Sequence, residues 1–363
     1  MNDLSFKNNT FFVGIDTHLK SWRVTIRNSG LELKTFSMNP FPVELFLHLT
    51  KHYPDGIFNI VYEAGFCGFW PQRKFIELGL TCIVVNPADI PSSNKEKVVK
   101  TDPTDSRKLA RELENNSLKP IYIPHVYAEQ LRSLMRLRFQ LVQSQTRIKN
   151  RIKMLLYNYG IIIPKEHLNN SRWSGYFILW LHSVILSCNA GQLTLNNLLL
   201  QLQQCRDNLK VVLQQLRTEA KNKSIEPIIN SLVSVPGIAF ITAMSLFTEI
   251  IDIKRFKSFD HLASFVGLVP SLHSSGETEY SRGISFRHNK FLRPLIIEAA
   301  WTAIRKDPAI TLVYSQLIHK MAKQKAVIKI AKNYYQESGT FGFSKNNIGS
   351  CCISINKTKN NTK

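Results

Sequence analysis

Along the first hundred residues, apolar positions come in short runs that alternate with polar ones, the period of strands and short helices rather than of long helices. Phe11–Asp16 reads as a strand that ends in an acid. Trp22–Arg27 and Leu31–Phe36 read as two more, joined through the turn-forming Asn28-Ser29-Gly30. Val43–His52 has helical spacing, Phe58–Tyr62 is a fourth strand running into Glu63, Phe69–Leu78 is helical and Thr81–Val85 is a fifth strand. A further helix is expected from Pro103.

The pattern then changes. From Val126 to Tyr159 there is no Gly or Pro, and Leu131, Leu134, Leu137, Leu141, Ile148, Ile152 and Leu155 recur at three-, four- or seven-residue spacing. That is one long amphipathic helix. Its polar face carries Arg132, Arg136, Arg138, Arg147, Lys149, Arg151 and Lys153 against the single acid Glu129. A second long helix is expected over Leu193–Ala220, with Leu198, Leu202, Leu209, Leu213 and Leu216 in register, so that the two form an antiparallel helical hairpin or coiled coil. The basic face is either a solvated surface or an arm that tracks phosphates and packs on a partner subunit; like charges along one helix repel unless something neutralises them. Further on, Val235-Pro236-Gly237-Ile238 breaks two helical stretches with a tight turn, resembling a helix-hairpin-helix whose amides, that of Gly237 included, can hold a phosphate. Ser271–Arg282 reads as a polar loop, a helix begins near Asn289 and runs through Ile304, and the tail from Gln336 reads as poorly ordered.

The order β-β-β-α-β-α-β followed by a helix is that of a ribonuclease H-like mixed sheet with helices on both faces. The chain is therefore expected to hold an α/β domain over 1–120, a mostly α-helical coiled-coil arm over 121–225, a C-terminal domain over 226–335 and a tail over 336–363. Charge sharpens this: 47 Lys and Arg stand against 26 Asp and Glu, a formal net charge of +21. Such a balance attracts a polyanion, most often nucleic acid. The N-terminus has no secretory core, and the most apolar stretch, Tyr176–Cys188, is too short and interrupted to cross a bilayer. Six scattered cysteines without paired spacing point away from zinc and towards a reduced, cytoplasmic setting.

Four acids stand out by position. Asp16 ends the first strand, Glu63 ends the fourth, and Asp102 and Asp105 open the helix after the fifth. Adjacent first and fourth strands make Asp16 and Glu63 neighbours, and residues three apart at a helix start share a face. Clustered carboxylates need a counter-charge, and Mg²⁺ (or Mn²⁺) supplies one while leaving positions open for phosphate. The competing role for Asp102-Pro103 is a helix start, with Asp105 at the capping-box position.

Val13-Gly14-Ile15-Asp16, Tyr62-Glu63-Ala64 and the run from Lys100 to Ala110 resemble the DEDD-type insertion-sequence transposases, a family that includes the Piv-like DNA invertases. Ser234–Ile238, Gly267-Leu268-Val269-Pro270 and Ser274-Ser275-Gly276 are similar to the same family's C-terminal domain. The resemblance implies a RuvC-like N-terminal domain, a coiled coil and a C-terminal domain with a nucleophilic serine. It implies metal ligation by Asp16, Glu63, Asp102 and Asp105, and a nucleophile at Ser275, with Ser274 its rival. It further implies DNA strand exchange on donor and target, a structured guide RNA, a homo-oligomer and a bacterial, nucleoid-associated location. The sequence departs from the family where Gly276 is followed by Glu277 and Thr278, and at Phe286 and His288. Two other readings stand beside this one: a RuvC-like junction endonuclease that cuts with the same acids, and a nucleic-acid-binding copy without activity.

Overall fold

The computed structural model describes residues 6–91, 102–168, 173–275 and 278–343. It divides into two compact units, Met1–Ile123 and Pro124–Lys363.

The first unit is a five-stranded mixed sheet with helices on both faces. Strands β1 (Thr10–Thr17), β2 (Trp22–Asn28) and β3 (Leu31–Met38) form an antiparallel meander. The two residues that join β2 to β3, Ser29 and Gly30, both have positive φ, the geometry that matches strand twist in a two-residue hairpin. Helix α1 (Pro42–His52) leads to β4 (Ile57–Glu63), and α2 (Trp70–Glu77) to β5 (Thr81–Val85). The sheet order is β3-β2-β1-β4-β5, with β4 and β5 parallel to β1. The first and fourth strands are thus neighbours, as the element order predicts.

The two sheet faces differ in what covers them. Phe11, Val13 and Ile15 of β1 pack with Leu45 and Leu49 of α1 and Phe75 of α2 in one core. On the other face lies α3 (Asp102–Glu114), whose Leu109 packs with Val61, Val85 and Ile90. Gly14 makes this contact possible. A Cβ at Gly14 would lie 2.2 Å from the Ser106 carbonyl oxygen and 2.4 Å from the Ala110 nitrogen, so the α3 backbone rests directly on the strand. The Ser106 hydroxyl, fully buried, is hydrogen-bonded to the Thr25 hydroxyl at 2.9 Å. At the far end of α3, Glu114 accepts from Arg27 Nε at 2.8 Å.

The second unit is helical apart from one hairpin. Helix α4 (Val126–Asn158) has 33 residues, about 50 Å of rise. After α5 (Lys165–Leu168) and α6 (Gly175–Ser183), α7 (Asn189–Ala220) runs back along it. Leu131 and Met135 near the start of α4 share a core with Val212 and Leu216 near the end of α7. Ile148, Ile152 and Leu156 share another with Leu195, Leu199 and Leu202. The pair is therefore antiparallel. The predicted apolar stripe needs one adjustment: Leu137 faces solvent, and Met135 and Leu156 take the inward places.

Helices α8 (Glu226–Val233), α9 (Phe240–Ile250), α10 (Phe259–Val266) and α11 (Leu292–Lys306) follow. They are completed by α12 (Pro308–Ile318) and α13 (Lys323–Phe343). The segment expected to be a polar loop is instead an antiparallel hairpin, β6 (Pro270–Ser275) and β7 (Thr278–Ile284). Its residues are mostly polar, so no apolar alternation marks the strands and only the backbone ladder reveals them. The chain also stays helical beyond Gln336, to Phe343. Ala326, Val327, Ile330 and Ala331 bury the first half of α13, and once a helix is nucleated it extends one hydrogen bond at a time. The rest of the tail lies outside the described residues.

The contact at Gly14 yields a prediction. Gly14→Ala should destabilise the first unit by about 2 kcal/mol or more, since the new Cβ meets backbone rather than a movable side chain. Urea unfolding followed by Trp22 and Trp70 fluorescence would measure it; an unchanged midpoint would rule out this packing.

Candidate functional site

The register of the sheet fixes where the strand-end acids lie. Gly14 pairs with Thr25 on one side and with Val61 on the other. Two residues further along each strand, Asp16 pairs with Arg23, and Glu63 pairs with Val85. Ile15 pairs with Tyr62, so Asp16 and Glu63 are the next residues along adjacent parallel strands. Side chains alternate across a strand. Asp16, Glu63 and Arg23 therefore point to the face that carries Gly14, Val61 and Thr25, which is the α3 face.

The direction of α3 follows from its anchors. Glu114 binds Arg27, whose strand partner is Phe12, while Ser106 rests at the level of Gly14 and Thr25. Moving from Glu114 back to Ser106 advances towards the strand ends with Asp16 and Glu63. The first turn of α3, with Asp102 and Asp105, continues that way. The side chain of Asp105 is half-buried; that of Asp102 lies outside the described residues. Among the described residues, no three His, Cys, Asp or Glu side chains converge closely enough to hold a metal ion. The described part thus supplies two adjacent carboxylates, Asp16 and Glu63, both hard oxygen donors.

Two neighbours of this row escaped the sequence reading. His18 Nε2 is 3.1 Å from Asp16 Oδ2, with the imidazole about half exposed. Arg23 sits across the ladder from Asp16 and donates from Nη1 to Ser37 Oγ at 3.0 Å. Its Nε is buried without a hydrogen-bond partner among the described residues. The spacing of His18 from Asp16, two residues, was the one available signal. Arg23 could be placed only once the hairpin register was known.

In the second unit, Ser274 and Ser275 end β6, opposite Glu279 and Thr278. Their side chains, and Gly276, lie outside the described residues. The base of this hairpin is tied to α11. Ser285 N donates to Val269 O, Arg293 Nη2 donates to Ser285 O, and Asn289 Oδ1 accepts from the amides of Phe291 and Leu292 at the helix start. Asn289 also donates through Nδ2 to Glu249 Oε2 at 3.0 Å.

Glu249 on α9 is the hub of this unit. It is 4% exposed and accepts a two-pronged pair from Arg136, at 2.8 and 2.9 Å. Burial pushes its pKa up, but the Arg136 guanidinium and the Asn289 amide outweigh that and hold it below the ordinary carboxylate value. Arg132 donates to Thr248 O at 2.9 Å. Arg132 and Arg136 were expected among the phosphate-facing residues; their guanidinium groups instead bind α9 within the unit. The reason is Glu249, a charge that burial forbids to stand alone. Arg147 and Lys149 bond to Ser144 and Gln145 of their own helix, and Arg151 and Lys153 are exposed. Gly237, expected to present amides to phosphate, has φ +89°, and a Cβ there would lie 2.5 Å from Ala299 O. Its bareness is used for packing on α11.

A family profile for DEDD transposases of the IS110 type matches residues 13–161, the strand-end acids and α3 included. A second, described as the transposase IS116/IS110/IS902 family, matches residues 229–315, the serine hairpin included. By class the chain is a transposase of insertion sequences. It is 29% identical over 66% of its length to the transposase-like y4qE of Sinorhizobium fredii, of which it spans 57%. It is 28% identical, over about three quarters of either chain, to the transposase for insertion sequence element IS1111A of Coxiella burnetii. It is also 26% identical to that for IS1533 of Leptospira borgpetersenii, over 68% of this chain and 71% of that one. The chain belongs to the DEDD-type transposases of the IS110/IS116/IS902 family. No helix among the described residues is long and apolar enough to cross a membrane.

The Glu249 hub sets a pH dependence. A carboxylate held below its ordinary value contributes stability that is full above that value, about 4.5, and is lost as pH falls through the folded value. Unfolding of the second unit should therefore grow easier below about pH 4.5, and Glu249→Gln should flatten that acid limb. Glu249→Ala, which strands Arg136, should cost about 3 kcal/mol at pH 7. Denaturation curves across pH check both; a limb that persists in Glu249→Gln would exonerate this residue.

Proposed function

We propose that this chain carries out DNA strand exchange for an insertion sequence, using a carboxylate-bound divalent metal site and a serine nucleophile. The observation that carries the reading is the placement of Asp16 and Glu63 side by side at parallel strand ends, with α3 starting at Asp102 and running from the same end. In this reading Asp16, Glu63, Asp102 and Asp105 hold Mg²⁺ or Mn²⁺. Once bound, the ion would offset phosphate charge and lower the pKa of an attacking hydroxyl.

The chain's own residues do the rest. Asp16 and Glu63 supply hard oxygen donors at the ends of two central strands of a rigid sheet. His18 fixes one oxygen of Asp16. The serine, Ser275 with Ser274 as alternative, attacks a DNA phosphorus. Its Oγ–phosphorus bond forms as the bond to a sugar oxygen breaks, and the proton lost by the hydroxyl ends on that leaving oxygen. A sugar hydroxyl of the other duplex then reverses the step on a new partner, so no phosphodiester energy is lost.

The reading extends to organisation and partners. The first unit is taken as a RuvC-like domain over 1–120, the antiparallel helix pair as a coiled-coil arm over 121–225, and the remainder to 335 as the serine domain. DNA is the substrate, a structured RNA the guide, and a homo-oligomer the active form. The net charge of +21 and the family membership support nucleic-acid partners. A junction endonuclease with the same acids is the second reading, favoured if the serines prove dispensable.

Recombination between donor and target plasmids, with the element's flanking DNA supplied, tests this. Asp16→Asn, Glu63→Gln, Asp102→Asn and Asp105→Asn should each lower product at least a hundredfold, on the order of one lost transition-state contact, while DNA binding is kept. Ser275→Ala should do the same. Cutting retained in Ser275→Ala and in Ser274→Ala would establish the nuclease reading instead.

A further inference from the structure

The helix pair carries a groove of about 350 Å³ that runs along α7 and reaches Gln145 of α4. Its floor is Leu209 and Leu213, both half-buried. Its rim is Arg206, Lys210, Gln214 and Arg217. On a helix these positions fall within one face: Arg206, Lys210 and Arg217 lie within about 40° of one another around the axis. Along the axis they are spaced about 6 Å and then about 10 Å apart.

The rim is positive and not neutralised. Among the described residues, none of Arg206, Lys210 and Arg217 forms an ion pair with an acid; the acids nearest in sequence are engaged elsewhere, Asp207 with Gln203 and Glu219 with Tyr127 and Gln215. Arg206 is fixed, not free-swinging: its Nη2 donates to the Trp173 carbonyl at 2.8 Å. The cations also crowd each other. The Lys149 ammonium on α4 is pushed below its ordinary pKa by burial, and then by Arg206 and Lys153. Unpaired cations held in one band on two packed helices lower the stability of the free protein, and an anion laid along them relieves that cost.

We propose that the groove formed by Arg206, Lys210, Gln214 and Arg217 over Leu209 and Leu213 is a docking site for the sugar–phosphate backbone of DNA. The choice of DNA rests on the strand-exchange reading. The groove has the two parts such a strand needs: spaced cations for successive phosphates, and an apolar floor for the deoxyribose between them. Its three cations outnumber its two amides, Gln145 and Gln214, so contacts to phosphate rather than to base edges dominate and sequence counts for little. A second copy of this chain is a poor occupant of this groove, because it would have to meet the basic rim with acids, and the chain has 26 Asp and Glu against 47 Lys and Arg.

Binding of a labelled DNA duplex to the full chain, by fluorescence anisotropy across salt concentrations, tests this. Lys210→Gln/Arg217→Gln leaves the Arg206–Trp173 bond in place. Neutralising two phosphate contacts should reduce the slope of log K against log salt by about 1.8 and weaken two unrelated duplexes equally. Gln214→Glu keeps every cation and puts an acid in the groove; it should weaken binding as well, and it carries the test if the double variant melts early. Unchanged affinity and slope in both variants overturn the proposal. So does a loss confined to one sequence, or to an RNA of equal length with DNA binding intact. Asp16→Asn runs alongside. If it keeps full recombination activity, the strand-exchange reading fails while a reduced salt slope in the groove variants still establishes the groove as a DNA site.

Discussion

A strand and a helix backbone in direct contact leave no room for adjustment, and the contact between Gly14 and α3 sets most of what matters in the first unit. The Ser106 carbonyl and the Ala110 amide occupy the volume that a side chain would take. With the helix seated this low, the Thr25–Ser106 hydrogen bond forms in a fully buried position, and the Arg27–Glu114 pair pins the far end. These three anchors leave α3 one inclination and one polarity over the sheet. Its N-terminal turn is thereby aimed along the strand ends where Asp16 and Glu63 sit. A helix start also favours negative charge nearby, so carboxylates there are less costly than elsewhere on the surface.

The second unit solves a different problem with a different device. It has to join a long helix pair to a compact helical body, and it does so through a buried charge. Glu249 gathers Arg136 from α4 and Asn289 from the start of α11, and Asn289 in turn caps the helix whose Arg293 holds the base of the serine hairpin. Phe291 completes the joint, lying under Arg136 at 4.7 Å and against Phe139 of α4. A polar joint of this kind costs desolvation that an apolar one would not. In return it accepts only one register, because any slip leaves a charge unpaired.

Much of this was open to a reading of the sequence, and the failures share one cause. The sheet order expected of a ribonuclease H-like arrangement puts the first and fourth strands side by side, and β1 and β4 do pair, with Asp16 and Glu63 next to each other. The long helices were legible from their spacing, within a few residues at each end. Leu137 was misassigned because one leucine at a plausible spacing cannot be told from another until the facing helix is known. The roles of Arg132 and Arg136 depended on a partner more than a hundred residues away; an acid inside the apolar run Phe240–Ile250 was the clue that a cation must meet it. The β6–β7 hairpin was missed because its polar residues carry no periodic signal. Of the four acids singled out, the described residues put Asp16 and Glu63 side by side and Asp105 half-buried on α3; the side chain of Asp102 lies outside them.

The helix pair has one more property, which follows from its two cores. One lies at the base with α8 to α13, the other at the tip with α6, and Leu141 touches both. Between them the helices hold each other with few further supports, among them the Cys205 thiol on the Leu141 carbonyl at 3.2 Å. Mechanically this is a beam, stiff along its length and anchored near its root by the Glu249 joint. From Arg136, at the joint, to Asn158 at the end of α4 is about 33 Å, so a tilt of roughly 5° there displaces the tip by about 3 Å, close to the rise of one base pair of B-form DNA. An adjustment too small to break any hydrogen bond at the joint is thus magnified, at the far end, into a step on the scale of the nucleic-acid lattice itself.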